Sequence, residues 1–585
     1  MAGKYEAWTQ EQLIARIQEL EQQAGLEKNT TVASNEPSHT QPGQAQSIPF
    51  RKPPKAPPKA FDASKYSTRL IALKFAYLGQ KYNGFEHHKN NSTPLPTIEE
   101  ELWKALVKTR CINPIPTKGE ETDYSKMDRK TFVGWDRDGA DVNWDGCEYS
   151  KCGRTDRGVS AFGQVIGIRV RSNRPKTEEP VTSSPDEESA EGETLSNASD
   201  SEPDSPPKSF NDLTDELPYI QLLNRVLPPD IRVYAWCSNP PENFSARFSC
   251  KERRYKYFFT NPCFAPVPGS SGIYNTASST PSSSQSTMRE GWLDIDAMKL
   301  GCKSLIGLHD FRNFCKIDAS KQLTNFQRRI FHADIEEVSP LCVPGFLSHP
   351  ALSSSSLQHE PKMYAFVLHG SAFLWHQVRS LVAILFLIGQ RLESPSIIPQ
   401  LLDIATNPTR PKYEMASDAP LVLWDCIFPN AEEVQSSEER EHGYDDRLEW
   451  IYVGDEGGVE ATAKSKGVVG RGKWGRGGVV DDVWEVWRGD KVDETLSALL
   501  LDKIAGLGKR SLEDEEVGES GSAKGGMKGA PRVFDGGNTG KAKGNYVAVL
   551  DRERQETVEV VNERYAKRKG LDPDRFKKRE EDGDE

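Results

Sequence analysis

From Thr68 onward apolar and polar positions alternate through TRLIALKFAYLG, the period-two pattern of a half-buried strand. The same alternation returns in GQVIGIRVR, IRVYAW, RRYKYFF, IFHADIEEV and MYAFVLHG, and in the first of these it sets Ile166, Ile168 and Val170 on one face. Between the strands the period lengthens. TIEEELWKALVKT, LDIDAMKLGCKSLIG and AFLWHQVRSLVAILFLIGQ carry apolar residues at helical spacing, and Thr97 with Glu100 has the spacing of a capping box. Helices and strands mix without regular βαβ alternation. That order predicts an α+β fold built on a largely antiparallel sheet.

Elsewhere the pattern lapses, and the lapses divide the chain. Residues 5–24 place Leu13, Ile14, Ile17 and Leu20 at helical spacing among charges, so residues 1–30 are expected to hold a short amphipathic or coiled-coil helix. A Pro/Lys-rich linker over 31–66 contains PFRKPPKAPPKAF, which cannot form regular structure. Two sub-domains then follow, 67–262 and 290–430, the first interrupted by an acidic insert at 175–216 and the second by a Ser-rich insert at 340–361. From 431 to 585 the chain turns Gly-rich and charged, as in KSKGVVGRGKWGRGG, and is expected to be a mostly disordered tail.

Composition agrees with so much insert and tail, since a hydrophobic fraction of 36% is low for a fully folded chain of 585 residues. The formal net charge of −12 at first argues against a nucleic-acid partner. Between Glu178 and Glu216, however, 13 acidic residues face one lysine, and that block carries the whole net charge. The rest of the chain is neutral, so nucleic acid is not excluded. No apolar run reaches the roughly 20 residues of a membrane span, and MAGKYEAWTQEQ lacks the apolar core of a signal peptide. A soluble, intracellular protein with no membrane partner is expected. Its ten cysteines show no Cys-x-x-Cys spacing, which predicts reduced thiols without a disulfide framework or structural zinc. Asp141-Val-Asn143-Trp-Asp145-Gly146 opens like a calcium-binding loop, but Cys152 stands where a bidentate glutamate is required. With His87 and His88 merely adjacent, no metal is expected.

Three stretches carry candidate chemistry. In KCGRTDRGVS, Asp156 lies between Arg154 and Arg157 and is bounded by Gly153 and Gly158. A surface turn with an ion pair would satisfy that pattern. A cation beside a carboxylate held in a fixed turn is equally what covalent chemistry on an anionic substrate needs. In KERRYKY, strand geometry puts Arg253, Tyr255 and Tyr257 on one face and Arg254 with Lys256 on the other, which suits either an ordinary sheet strand or a surface for a flat base and its phosphate. The third is Arg379, inside a helix apolar almost all round. Its charge needs an anionic partner, and Asp156 is a candidate.

CGRTDRGVSAFGQVIGI resembles the signature of the TruA-type tRNA pseudouridine synthases, and its Arg-Thr-Asp-Arg-Gly-Val-Ser form is most similar to the eukaryotic branch that modifies tRNA positions 38 and 39. YLGQKYNGF, FSARFSCKERRYKYF, HDFRNFCK and FLWHQVRSLV match further family segments in the correct order, over roughly residues 67–428. The resemblance implies two sub-domains around a central RNA-binding cleft. It implies that Asp156 is the catalytic aspartate, that Tyr255 packs on the target uracil and helps remove its C5 proton, and that Arg379 pairs with the catalytic carboxylate. Arg154 would hold RNA and promote base flipping, with Arg157, Arg253 and Arg254 as further substrate-binding candidates. FEHH after YNG departs from relatives, which carry tryptophan or alanine followed by glutamine.

The implied reaction is an isomerisation, so no cofactor is expected. The implied partner is tRNA, bound through its anticodon stem-loop, with a homodimer left open. Nuclear and cytoplasmic residence is expected, Lys567-Arg-Lys569 and Lys577-Lys-Arg579 being either import clusters or a solvated charged helix end. Rival readings are a relative acting at other tRNA positions or on mRNA, and a catalytically silent RNA-binding protein on the same fold. Retention of Asp156, Tyr255 and Arg379 together favours the enzyme.

Overall fold

The computed structural model describes residues 60–88, 94–116, 122–176, 209–264, 291–338, 362–455, 472–507, 532–534, 541–542 and 546–570. The expected N-terminal helix, nearly all of the Pro/Lys linker and the Ser-rich insert lie outside the described residues. In chain order come β1 (Ser67–Tyr77), α1 (Ile98–Lys108), α2 (Arg129–Asp138), β2 (Ser150–Lys151), β3 (Ser160–Ser172), α3 (Tyr219–Asn224), β4 (Ile231–Cys237) and β5 (Glu252–Asn261). Then follow α4 (Ile295–Lys303), β6 (Gly307–Asp310), β7 (Gln327–Val338), β8 (Lys362–Gly370), α5 (Gln377–Gly389), α6 (Ile397–Leu402) and β9 (Leu421–Ile427). None of the described helices is long and apolar enough to cross a membrane.

Ten strands form one sheet in the order β10-β4-β1-β3-β9-β5-β8-β7-β6, with β2 on β3, where β10 is Trp450–Tyr452. Neighbours are antiparallel except β3 and β9, which pair in parallel through Ser160 with Val422 and Ala161 with Leu423. The expected α+β fold with a largely antiparallel sheet is thus the observed one. Two apolar cores flank the sheet, one around Phe75, Trp103 and Trp236, the other around Phe314, Phe366 and Phe386. The alternation in β1 and β3 is filled in on both faces at the centre, because a central strand is covered on each side. Thr97 caps α1 by accepting the Glu100 N–H at 3.2 Å, whereas the Glu100 carboxylate turns away to the Ala140 N–H at 2.9 Å and to Lys104 at 2.7 Å.

Strand β9 is absent from the sequence reading, although LVLWDCI is an apolar run bounded by Pro420 and Pro429. The helix expected from Ala372 starts only at Gln377, since His376 takes a left-handed conformation at φ 61° and breaks the helical path.

Two expectations about inserts and tail are corrected. Beyond residue 430 the chain forms α7 (Ala431–Gln435), α8 (Ser437–His442), β10, α9 (Val479–Ala505), a small ladder of β11 (Arg532–Val533) with β12 (Lys541–Ala542), and α10 (Val558–Lys569). Phe534, Val549 and Val558 are buried against the second core, and Glu393 accepts the Tyr546 hydroxyl and the Val549 N–H, both at 2.6 Å. Sparse anchors of this kind vanish in a Gly-rich, charged average. Likewise the end of the acidic block is ordered: buried Arg69 of β1 donates to Asp212 at 2.7 Å and Glu216 at 3.0 Å. Burial opposes ionisation of Asp212, but Arg69 and Arg174 outweigh it and bring its carboxyl down to about 2.

Excising residues 177–208 should therefore leave the unfolding midpoint unchanged, whereas extending the cut through Glu216 should cost about 3–5 kcal/mol by stranding the Arg69 charge. Denaturant titration of both deletions checks this. The contribution of the cluster is complete at neutral pH and is lost as pH falls from the ordinary carboxylate range toward about 2.

Candidate active site

The loop Cys152–Val159 runs from β2 to β3 and is held from both sides. Gln164 of β3 donates its Nε2–H to the Gly153 carbonyl at 3.0 Å and accepts the Gly153 N–H at 3.2 Å. The Tyr77 hydroxyl meets Thr155 Oγ1 at 2.8 Å. Gly79 packs directly on the loop: a Cβ there would lie 2.0 Å from the Val159 carbonyl oxygen. That contact seats the segment YLGQKYNGF against the loop. Asp156 projects from it into a cavity of about 1000 Å³ also lined by Tyr255, Phe373, His376 and Arg379.

The two cationic or polar partners of Asp156 come from one helix start. Arg379 NH1 stands 3.8 Å from Asp156 Oδ2, a loose ion pair, while its Nε donates to the Ala416 carbonyl at 2.8 Å. His376 Nε2 is nearer, at 3.3 Å. The sequence reading paired Asp156 with Arg379 and missed His376, which lies three residues earlier in the same quoted segment.

Tyr255 forms the facing wall, its ring edge-on to Phe373 at 5.0 Å. Burial pushes its phenol well above the usual range, so it is a neutral hydroxyl at ordinary pH and a poor proton acceptor. The arginines of KERRYKY serve structure. Arg253 lines the cavity but donates to the carbonyls of Ser371, Cys152 and Arg247 at 3.0–3.1 Å, and Arg254, on the other face, holds Glu252 at 2.7 Å and the Tyr444 carbonyl at 3.0 Å. Arg254 is therefore corrected: it does not reach the cavity. Arg157 is exposed at the rim, and Arg154 is half exposed with its Nε 3.2 Å from Glu86 of the FEHH stretch.

Sequence reasoning also missed the rim itself, where Arg247 covers Phe248 at 5.1 Å and Lys316 covers Trp375 at 4.3 Å. Exposed aromatic rings beside cations form platforms for bases and phosphates. Behind the loop the thiols of Cys152, Cys250 and Cys426 lie within 4.8 Å of one another, all buried. Spacing rules cannot reveal such a trio, because three distant segments supply it. The nine described cysteines are free thiols.

Similarity to known proteins coincides with this geometry. The profile of the tRNA pseudouridine synthase family matches residues 302–429, which include Arg379, His376 and β9. Over 427 residues, 73% of this chain and 72% of the relative, the sequence is 38% identical to the tRNA pseudouridine(38/39) synthase of Saccharomyces cerevisiae. The chain belongs to the TruA-type tRNA pseudouridine synthase family. It is also 35% identical to the tRNA pseudouridine(38/39) synthase of Homo sapiens over 74% of its own length and 69% of that protein. The bacterial tRNA pseudouridine synthase A of Polynucleobacter asymbioticus is 25% identical over 57% of this synthase and 82% of its own chain.

Gly79→Ala should lower both the melting temperature and turnover, because backbone rather than a flexible side chain opposes the new methyl. Arg379→Met should cost about 1.5–3 kcal/mol, the worth of a charged hydrogen bond to Ala416, and depress turnover. Calorimetry with turnover assays on the two purified variants checks both.

Proposed function

We propose that this synthase converts uridine to pseudouridine at tRNA positions 38 and 39, engaging the anticodon stem-loop and acting as a homodimer. The observation that carries the reading is Asp156 Oδ2 beside His376 and Arg379 in a cavity that Tyr255 also lines. The similarity to tRNA pseudouridine(38/39) synthases of Saccharomyces cerevisiae and Homo sapiens supports the positions.

The reaction breaks the N1–C1′ bond, turns the freed uracil and joins C5 to C1′; a proton leaves C5 and one is gained at N1. Atoms balance within the nucleotide, so no cofactor is consumed. Asp156 drives glycosidic cleavage at the flipped nucleotide, and the neutral Tyr255 ring holds the uracil by packing while its position is exchanged. Extrusion of the base costs a few kcal/mol. The cationic and aromatic rim, with Arg154 and Arg157, offsets that by binding the backbone and stacking on neighbouring bases. Glu86 tethers Arg154 in the free protein, so a phosphate must compete for that guanidinium.

Asp156→Asn, nearly isosteric, should fold and bind tRNA like the parent and form no pseudouridine. Turnover near the parent rate in a folded variant would remove the assignment. Pseudouridine-specific chemical sequencing of tRNA from a strain lacking the protein should lose the signals at 38 and 39, and sedimentation of the purified chain should give twice the monomer mass.

Residence in nucleus and cytoplasm is part of the proposal. The cluster Lys567–Lys569 ends α10, while its second half at 577–579 lies outside the described residues. Alanine replacement of both clusters should shift a fluorescent fusion to the cytoplasm. An unchanged distribution would assign nuclear entry to another segment.

A further inference from the structure

We propose that His376 is a positioning residue for Asp156: its Nε2–H holds Oδ2, fixing one carboxylate oxygen and leaving the other for the substrate. The inference rests on Asp156 being the catalytic carboxylate.

The backbone is arranged to make this contact. His376 is a non-glycine residue in the left-handed region, at φ 61° and ψ 14°, a conformation that histidine adopts more readily than most side chains. That turn stops the preceding segment and starts α5, whose first bond runs from the Ser380 N–H to the His376 carbonyl at 3.0 Å. Arg379 follows three residues later in the first turn of α5, and both side chains approach the same oxygen of Asp156. The turn is pinned from outside as well. The Lys316 N–H donates to the Trp375 carbonyl at 2.9 Å, and the Trp375 ring lies 4.7 Å from the imidazole.

Of the two partners the imidazole is the closer, at 3.3 Å against 3.8 Å. Arg379 is also committed to Ala416 through Nε. The charged groups facing the ring are Asp156 from the loop, Arg379 from its own helix, Lys316 from the segment after β6 and Arg410 from the segment before β9. Burial lowers its pKa, Asp156 opposes that, and the three cations add to the lowering. The ring is therefore neutral at physiological pH. Nδ1 is enclosed and lacks a hydrogen-bond partner, so Nε2, 3.3 Å from Oδ2, is the ring atom placed to present an N–H to Asp156. A neutral donor orients the carboxylate without neutralising it. An imidazolium would pair with the charge that the reaction needs.

Two substitutions test the idea against a merely structural role. Asparagine tolerates the left-handed backbone but is too short to reach Asp156, whereas glutamine places an N–H near the Nε2 position. His376→Asn should melt like the parent, retain its KM for an unmodified tRNA transcript and lose about 10²-fold in kcat. His376→Gln should recover most of that loss. A kcat for His376→Asn within about twofold of the parent overturns the inference, as does a loss confined to KM, or an equal loss in both variants. Asp156→Asn assayed alongside separates the two claims. An active Asp156→Asn removes the reading of Asp156 itself, while an inactive one beside a fully active His376→Asn removes only the role of His376.

Discussion

The short parallel pairing of β3 with β9 joins the two halves of the sheet and decides where the chemistry sits. Only two residue pairs make it, Ser160 with Val422 and Ala161 with Leu423, directly after the loop that carries Asp156. Close approach is needed there: a Cβ on Gly163 would lie 2.6 Å from the Asp425 carboxylate and 2.7 Å from its Cα. The same register lines up Tyr77, Ala161, Leu423 and Tyr255 across four neighbouring strands. Three strand spacings of about 4.8 Å separate the tyrosine that anchors the loop from the tyrosine that faces Asp156. A one-residue slip at this junction would turn one of them to the opposite face of the sheet.

Charge around that row is distributed by depth. Inside, buried Lys74 of β1 meets Asp425 at 2.6 Å and Asp446 at 3.5 Å; burial disfavours its ammonium form, and the two carboxylates outweigh that. Arg253 spends its guanidinium on three backbone carbonyls, tying the loop, the segment before β5 and the segment after β8 together. These contacts fix geometry. Other cations, Arg247 and Lys316, lie at the rim over the exposed rings of Phe248 and Trp375, where water lowers the cost of holding them.

The outer segments complete this arrangement. Asp446, which helps hold Lys74, also accepts the Trp450 indole N–H at 2.8 Å, and β10 pairs with β4 to cover a sheet edge. On the other half Phe534 stacks on Phe264 at 5.1 Å and meets Phe386 of α5 at 5.0 Å. The helix that presents His376 and Arg379 is thus braced by a part of the chain that looks, by composition, incapable of bracing anything. Helix α9 is different in kind: Trp484, Trp487, Leu496 and Leu499 are exposed along it, and Arg232 reaches its Asp482 at 3.0 Å.

Alternation of apolar residues was enough to place β1, β3, β4, β5, β7, β8 and the body of α5, because burial on a face imposes its period on the sequence locally. The family segments likewise named Asp156, Tyr255 and Arg379, which the fold brings to one cavity. What stayed illegible depended on partners far away in the chain. Whether Arg253 faces RNA or three carbonyls, whether Arg254 reaches the cavity, and whether Asp212 and Glu216 are solvated or paired with Arg69 are questions of who lies opposite, and no local pattern encodes the opposite residue. His376 is the clearest case. Its letter reads as one polar residue entering an apolar helix, but a left-handed turn at that single position withdraws it from the helix and aims it at Asp156. Sequence determined which elements form; tertiary structure decided which side chains meet, because contact between residues separated by hundreds of positions follows from strand order and register, which exist only once the sheet has closed.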